Sequence, residues 1–449
     1  LRVSYGEVGN DGINSSLWSQ NWESTSDKRY QGAVNGAFLP SYSLGADMAN
    51  KDLKWETTIT RNIGVDFGFF NSRLTGTIDA YWNTTKDLLM KTAIPGITGF
   101  TSTYANVGQT SNKGIEIALQ GVLVKTRDWN VTAGFNINFN RGKVDKLADN
   151  VTGLYGTEWA TSSTFPKSDY VLKEGRPVGL VRGLTADGFY TTDDFTYENG
   201  VYTLKEGVAD VSSAVFPNYH LHNGMNERPA GQLAYPGMAK FKDLNDDGII
   251  NDDDVDVIGD MTPVHTGGFN INATYKNFDL GLYFNWSYGN EIYNVNKLAA
   301  LYGYKEGAVY ENKLSIVKDC YKIYDVVNGE LVALTTPEQL NAANANAKLP
   351  LAYSENGYVS TLGIEDGSYL RLNTLTLGYT LPKSILQKAG ISNLRVYGSI
   401  YNVFTITGYS GIDAEVSTST STKTYPQLGM DWGTYPRARS FVLGVNLSF

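Results

Sequence analysis

The sequence predicts an all-β protein, a transmembrane antiparallel up-and-down β-barrel, and three observations carry that reading. Apolar and polar residues alternate in segments about ten residues long. The connections between those segments alternate between short and long. The composition suits strands, turns and interfacial aromatics better than helices, with 12% aromatics, 30 Tyr, 47 Gly and only 18% charged residues among 449.

The alternation is plainest at Val131, Ala133, Phe135, Ile137 and Phe139, which interleave with Asn130, Thr132, Gly134, Asn136 and Asn138. It returns on both sides of a turn at Lys276-Asn277. Phe269, Ile271, Ala273 and Tyr275 form one apolar row, and Phe278, Leu280, Leu282, Phe284, Trp286 and Tyr288 form the next. Strands are expected near 1–9, 56–70, 73–83, 112–124, 129–141, 264–276, 277–289, 368–380, 393–405 and 439–449.

A soluble sandwich also alternates. Here, however, the apolar rows are rich in Phe, Leu, Ile and Trp while the opposite rows are small and polar, as lipid outside and water inside require. The connections strengthen the case. Short turns fall at Asn71-Ser72, 125–128, Lys276-Asn277 and 381–392, and long ones at 10–55, 84–111, 142–262, 290–367 and 406–438. Outer-membrane barrels place short turns in the periplasm and long loops on the cell surface. On that orientation the last strand runs inward to Phe449, with the terminal aromatic that outer-membrane assembly machinery commonly reads. Trp82, Trp286 and Tyr288 fall near strand ends, where an interfacial belt is expected.

Other classes are excluded or disfavoured by simple counts. A net charge of −9 without a Lys/Arg cluster argues against nucleic acid. The single Cys320 rules out an internal disulfide framework and any Cys-based zinc site. No apolar run approaches the ~18 residues of a membrane-spanning helix. The chain opens inside a strand at Leu1, as a fragment of a longer protein would.

Leu1-Arg2-Val3-Ser4-Tyr5-Gly6-Glu7-Val8-Gly9-Asn10 follows the pattern LR-x-SYG-x-x-GN. Asp52-Leu53-Lys54-Trp55-Glu56 with Asn62-Ile63-Gly64-Val65-Asp66 follows L-x-WE…NIG-x-D. The stretch from Ala105-Asn106-Val107-Gly108 to Asn112-Lys113-Gly114-Ile115-Glu116 follows N-x-G-x-x-x-N-x-G-x-E. Gly367-Ser368-Tyr369-Leu370-Arg371-Leu372, the block from Leu375 through Gly378-Tyr379 to Leu381-Pro382, Tyr401-Asn402-Val403-Phe404 and Tyr435-Pro436-Arg437-Ala438-Arg439 come after them. In this content and order the stretches resemble the SusC/RagA family of TonB-dependent outer-membrane transporters. The resemblance implies a barrel of about 22 strands, of which these would be the C-terminal ten. It also implies a plug, N-terminal strands and a TonB-contacting segment, none of which this chain carries.

One motif carries recognisable chemistry. Residues 243–254 fit the calcium loop D-x-[DN]-x-[DN]-G, with Asp243, Asn245 and Asp247 at ligand positions one, three and five and Gly248 at the sharp turn. Ile249 would offer its carbonyl, Asn251 a contact through water, and Asp254 the closing carboxylate where Glu is usual. The competing reading is an acidic turn closed by its own backbone. Six acids among these twelve residues favour a structural Ca2+ in an external loop. His220 and His222 could be paired ligands but lack a third nitrogen or thiolate, so ordinary loop histidines are expected. Trp18, Trp22, Tyr155, Trp159, Tyr190, Tyr219, Tyr235, Tyr302, Tyr304, Trp432 and Tyr435 fall in expected external loops. They could stack on sugars or peptides, and most are expected to pack the loops. No G-x-S-x-G, H-E-x-x-H or Walker loop occurs, so no catalytic residues are assigned and the chain is not expected to be an enzyme.

The function implied by the resemblance is TonB-dependent import of oligosaccharides, or oligopeptides, together with a SusD-like surface lipoprotein, and a dimer of such pairs is among its expectations. The substrate-binding residues stay unknown. The alternatives are a ten-stranded outer-membrane hydrolase, which should show a catalytic set at the rim, and a surface adhesin or soluble sandwich, which should need no detergent.

Overall fold

Backbone carbonyls and N–H groups along the alternating segments find their partners on neighbouring strands, and long antiparallel ladders result. The computed structural model describes the chain apart from residues 13, 15–16, 21, 26–31, 40, 46, 150, 162–163, 217–227, 302–311, 353–356, 387–389 and 417–426. Ten principal strands run through it: β1 (Arg2–Asn10), β2 (Glu56–Phe69), β3 (Leu74–Ala93), β4 (Ser102–Lys125), β5 (Trp129–Lys146), β6 (His265–Tyr275), β7 (Phe278–Tyr288), β8 (Tyr369–Thr380), β9 (Asn393–Thr407) and β10 (Ser440–Ser448).

The chain divides into two compact units. In the first, β1 to β5 are hydrogen-bonded in sequence order, followed by Phe269–Ala273 from the middle of β6. In the second, β7, β8, β9 and β10 are hydrogen-bonded in sequence order, and the inserted segments fold around them with cores of their own.

Register turns the sequence alternation into two faces. Val65, Ile78, Ile117 and Ile137 lie opposite one another across β2 to β5. One residue along, the row reads Gly64, Asp79, Glu116 and Asn138. In the second unit Leu280, Leu377, Gly398 and Leu443 share a row, and Asp279, Gly378, Tyr397 and Gly444 the neighbouring one. Two glycines on the polar rows are there for space. A Cβ on Gly114 would enter the Tyr81 ring, whose hydroxyl donates to Asn140 Oδ1 at 2.8 Å, and a Cβ on Gly444 would enter the ring of Tyr397.

The apolar rows do not form a core. Phe441, Leu443 and Val445 are 72%, 89% and 62% exposed. Among the described residues, only Ile59, Val144 and Leu372 of the ten strands join the buried apolar set. The other buried apolar residues sit in the connections. The largest cluster gathers Phe165, Leu184, Tyr190, Phe195, Tyr202, Val215, Tyr235, Phe241, Ile250 and Tyr358 with their neighbours. A soluble sandwich would bury its strands and expose its loops; here the distribution is reversed.

One expected connection is corrected. The span 84–111 is not a long loop, because β3 continues to Ala93 and β4 begins at Ser102, with Ala93 paired to Ser102. The alternation fades there because Asn83, Thr84, Thr85, Lys86 and Asp87 are polar on both faces. Past the hydrocarbon both faces meet water, so the ladder persists without an apolar row. It is irregular between Thr85 and Leu89, where Asp87 adopts a φ of 58°. For the same reason β5 runs to Lys146 instead of ending near 141.

The two faces of β3 should answer differently to charge. Arg at Ile78 is expected to cost about 2–4 kcal/mol of folding free energy in lipid. Arg at the adjacent Thr77, on the polar row, should stay within roughly 0.5 kcal/mol. Urea unfolding of the two variants in vesicles measures the difference, and equal costs would contradict the sided sheet.

Candidate functional site

The inserted segments hold the chemistry, and their framework is built largely from tyrosine. Tyr190, Tyr202, Tyr235 and Tyr293 are fully buried. Tyr190 donates to the carbonyl of Ala209 at 2.6 Å and Tyr202 to that of Thr335 at 3.1 Å. Tyr170 donates to the carbonyl of Leu428 at 2.8 Å. Burial pushes all three phenols well above their usual range, so they remain donors. Lys240 lies over the Tyr190 ring and pairs with Asp194 at 2.7 Å. Burial opposes the charge on Asp194, but Lys240 and the N–H and hydroxyl of Thr191 outweigh it and hold the carboxyl below its usual range.

Tyr190 and Tyr235 are therefore core residues, and Trp159 packs edge-on against Tyr293 with ring centroids 6.4 Å apart. Trp18, Trp22, Tyr155, Trp432 and Tyr435 are exposed, Tyr155 with the Arg182 guanidinium over its ring. Tyr219, Tyr302, Tyr304, His220 and His222 lie outside the described residues. The histidine that the sequence did not single out, His265, stacks on Tyr288 at 5.0 Å and accepts from Trp286 Nε1 at 3.0 Å. Cys320 is buried, and burial with the nearby Asp319 pushes its thiol up to about 11, away from reactivity.

The acidic turn folds as its pattern demands. Asp246 and Gly248 take φ values of 57° and 83°. Asp243 accepts from Asp247 N at 3.3 Å and Gly248 N at 2.7 Å, and Asn245 accepts from Asp247 N at 3.2 Å. Asp254 is fully buried, with one oxygen on Leu244 N and the other on Asn251 N. Asn251 caps the following turn through Asp253 N, and its amide donates to the Ile249 carbonyl at 3.2 Å. The turn is anchored by parallel pairing of Ile249–Ile250 with Asp210–Val211. Among the described residues no three His, Cys, Asp or Glu side chains form a metal-holding group. The six expected ligands share one turn, but their oxygens serve its backbone.

A second charged cluster joins two family-like motifs. Arg371 of β8, 4% exposed at its side chain, pairs with Asp413 and with Glu415 at 3.0 Å. Arg437 reaches the same two acids at 3.5 and 2.8 Å. Arg371 also donates to Thr405 Oγ1 at 3.0 Å. The segment it holds packs Tyr409, Ala414 and Val416 against Ile292, with the Tyr409 hydroxyl on Asp431 at 2.6 Å.

Comparison with known proteins then decides the family. Residues 1–403 match the family described as TonB dependent receptor-like, beta-barrel. The chain belongs to that family. Over its whole length it is 30% identical to TonB-dependent receptor P3 of Formosa agariphila, covering 39% of that protein. It is 29% identical to TonB-dependent receptor SusC of Bacteroides thetaiotaomicron across 89% of this chain and 32% of that one. The RagAB peptide transporter shares the fold over the whole chain, with a TM-score of 0.68, 24% identity and 40% of that chain covered. The chain thus spans two fifths or less of the length of these relatives. The family is one of outer-membrane receptors and not of enzymes, so the exposed rows of this TonB-dependent receptor barrel face lipid.

Two outcomes follow for the receptor. Asp413→Ala strips Arg371 of its closest acid and should destabilise the 409–416 segment by about 3 kcal/mol, read as faster proteolysis there. Unchanged cleavage would show the cluster to be dispensable. Because the Asp194 pKa is depressed on folding, its contribution is complete above roughly pH 4 and is lost as pH falls through the folded value. Asp194→Asn should therefore weaken the external core at neutral pH and lessen its loss of stability on acidification, measured by near-UV circular dichroism.

Proposed function

We propose that this chain supplies barrel wall and external loops to a TonB-dependent importer of oligosaccharides or oligopeptides, working with a SusD-like surface lipoprotein. The observation that carries the reading is the reversed burial: strands oily on the outside, loops packed around a core. Such loops can present fixed residues to a partner and a substrate at the cell surface. The likeness to SusC supports the lipoprotein, and the likeness to the RagAB peptide transporter keeps peptides beside glycans. Energy would reach the barrel from the TonB complex through a region outside this chain, and two such receptor–lipoprotein pairs would form the dimer.

Deleting tonB should abolish uptake of the substrate, and a surface lipoprotein should co-purify with the tagged receptor. Uptake that is indifferent to TonB, or a receptor purified without any lipoprotein, would overturn the reading.

We also propose that the turn 243–254 takes a structural Ca2+ through Asp243, Asn245, Asp247, Ile249, Asn251 and Asp254. Its support is the ligand spacing together with the inward-turned Asp243 and Asn245 oxygens. Binding would require Asp254 and the Ile249 carbonyl to give up backbone and Asn251 partners. Calcium at a hundredfold excess over Kd should stabilise the receptor by about 2.7 kcal/mol. The gain should vanish in Asp243→Asn/Asp247→Asn; an unchanged melting temperature with calcium would remove the ion from the account.

A further inference from the structure

A cleft of about 430 Å³ opens in the second unit between four separate stretches of chain. Thr164, Phe165, Pro166, Lys167 and Ser168 form one wall, Arg182 a second, Ser213, Ala214 and Val215 a third, and Asp252 of the acidic turn the fourth. Its size lies within the range of pockets that hold small ligands.

The walls are fixed from behind. Phe165 and Val215 are 6% and 0% exposed and belong to the main loop core. The Phe165 N–H donates to the Gly357 carbonyl at 2.9 Å, and its own carbonyl accepts from Val359 at 2.7 Å. Arg182 sits in the strand Leu180–Leu184, which pairs with Val255–Asp260, and its N–H donates to the Asp169 carbonyl at 2.9 Å. Ser213 to Val215 follow a segment tied to Ile250 by the Ser212 N–H at 3.0 Å.

Arg182 is the unusual member. Its guanidinium is half-buried, lies over the Tyr155 ring at 4.8 Å and spends one donor on Ser168 Oγ at 2.8 Å. Among the described residues no carboxylate comes within ion-pair distance of it, although Asp252 acts on it through space. Burial lowers its pKa and outweighs the opposing influence of Tyr155 and Asp252. A guanidinium has five N–H donors and cannot shed its charge in a protein, and among the described residues Ser168 is the side chain that takes one of them. Exposed Lys167 adds a second positive charge to the same cleft, with no ion-pair partner among the described residues.

We propose that this cleft is a subsite for a carboxylate carried by the imported oligomer, clamped by Arg182 and steered by Lys167. A flat carboxylate matches the guanidinium fork, and a backing aromatic ring holds that fork in plane. Ser168 and Ser213 offer hydroxyls to the neighbouring polar groups of the same ligand. The assignment rests on the import reading for the ligand's origin. Two sources present this chemistry, a uronate-containing oligosaccharide and an acidic peptide.

Calorimetry on the purified full-length receptor separates them with four probes: trigalacturonate, triglutamate, maltotriose and trialanine amide. One acidic probe should bind at least tenfold more tightly than its neutral counterpart, and which one does so names the source. Arg182→Ala should cost that probe about ten- to hundredfold in affinity, Arg182→Lys should restore part of it, and Lys167→Ala should cost a few-fold and flatten the salt dependence. Unchanged melting temperatures separate these losses from misfolding. Equal binding of acidic and neutral probes, no binding of either acidic probe at millimolar concentration, or full affinity in folded Arg182→Ala would overturn the assignment. Uptake independent of TonB would remove the import reading and leave this binding result standing.

Discussion

In hydrocarbon no water satisfies a stray N–H or carbonyl, so every spanning backbone group must be bonded within the sheet. The rest of the molecule follows from that constraint. Once strands are locked side by side, one face must be oily, and Val65, Ile78, Ile117 and Ile137 are aligned by register into a single row. The opposite face must settle its charges locally. Arg2 bonds Asp66 one strand away and Asp79 two strands away, at 2.8 and 2.9 Å, and Arg395 bonds Asp279 at 2.5 Å two strands away. Each arginine ties strands together where side chains offer no apolar contact.

The inserted segments solve the opposite problem. They lie in water and have little regular structure, so they need a core and also donors for carbonyls that no ladder satisfies. Tyrosine supplies both: a large ring to bury and a hydroxyl to give away. Tyr170, Tyr190 and Tyr202 each end on a backbone carbonyl, at Leu428, Ala209 and Thr335. Among the described residues the tyrosines include some buried inside the loops and others, such as Tyr155 and Tyr435, on exposed surfaces. Composition alone could not separate them.

Strand identity and facing were legible because period two is a local property, and the acidic turn was legible because its spacing is local too. The polar extensions of β3 and β4 were not, since their pairing outlasts the apolar row that announced it. The loop core was hidden for a different reason. Its bonds join residues far apart in sequence, such as Thr192 with Asn341 and Tyr202 with Thr335. Tyr190 and Tyr235 therefore could not be told from the loop aromatics that stay exposed. Arg182 was invisible on the same grounds, as its cleft is assembled from four stretches that carry no shared pattern.

The motifs behind the family resemblance turn out to be joints. Lys54 and Asn106 exchange bonds at 2.8 Å through backbone and amide, which pins the segment before β2 to β4. Asn402 in β9, at a φ of 53°, donates to the Ala438 carbonyl, and Arg371 meets Arg437 across Asp413 and Glu415. Such positions fix where a long loop leaves and re-enters the sheet, whatever that loop goes on to bind. Recognition must then reside in groups that neither the lipid, the ladder nor the loop core constrains. Trp18, Trp22, Tyr155, Trp432 and Tyr435 on the surface, and the uncommitted donors of Arg182, meet that description. Receptors of this family that differ in cargo should therefore keep their joints and diverge at these groups.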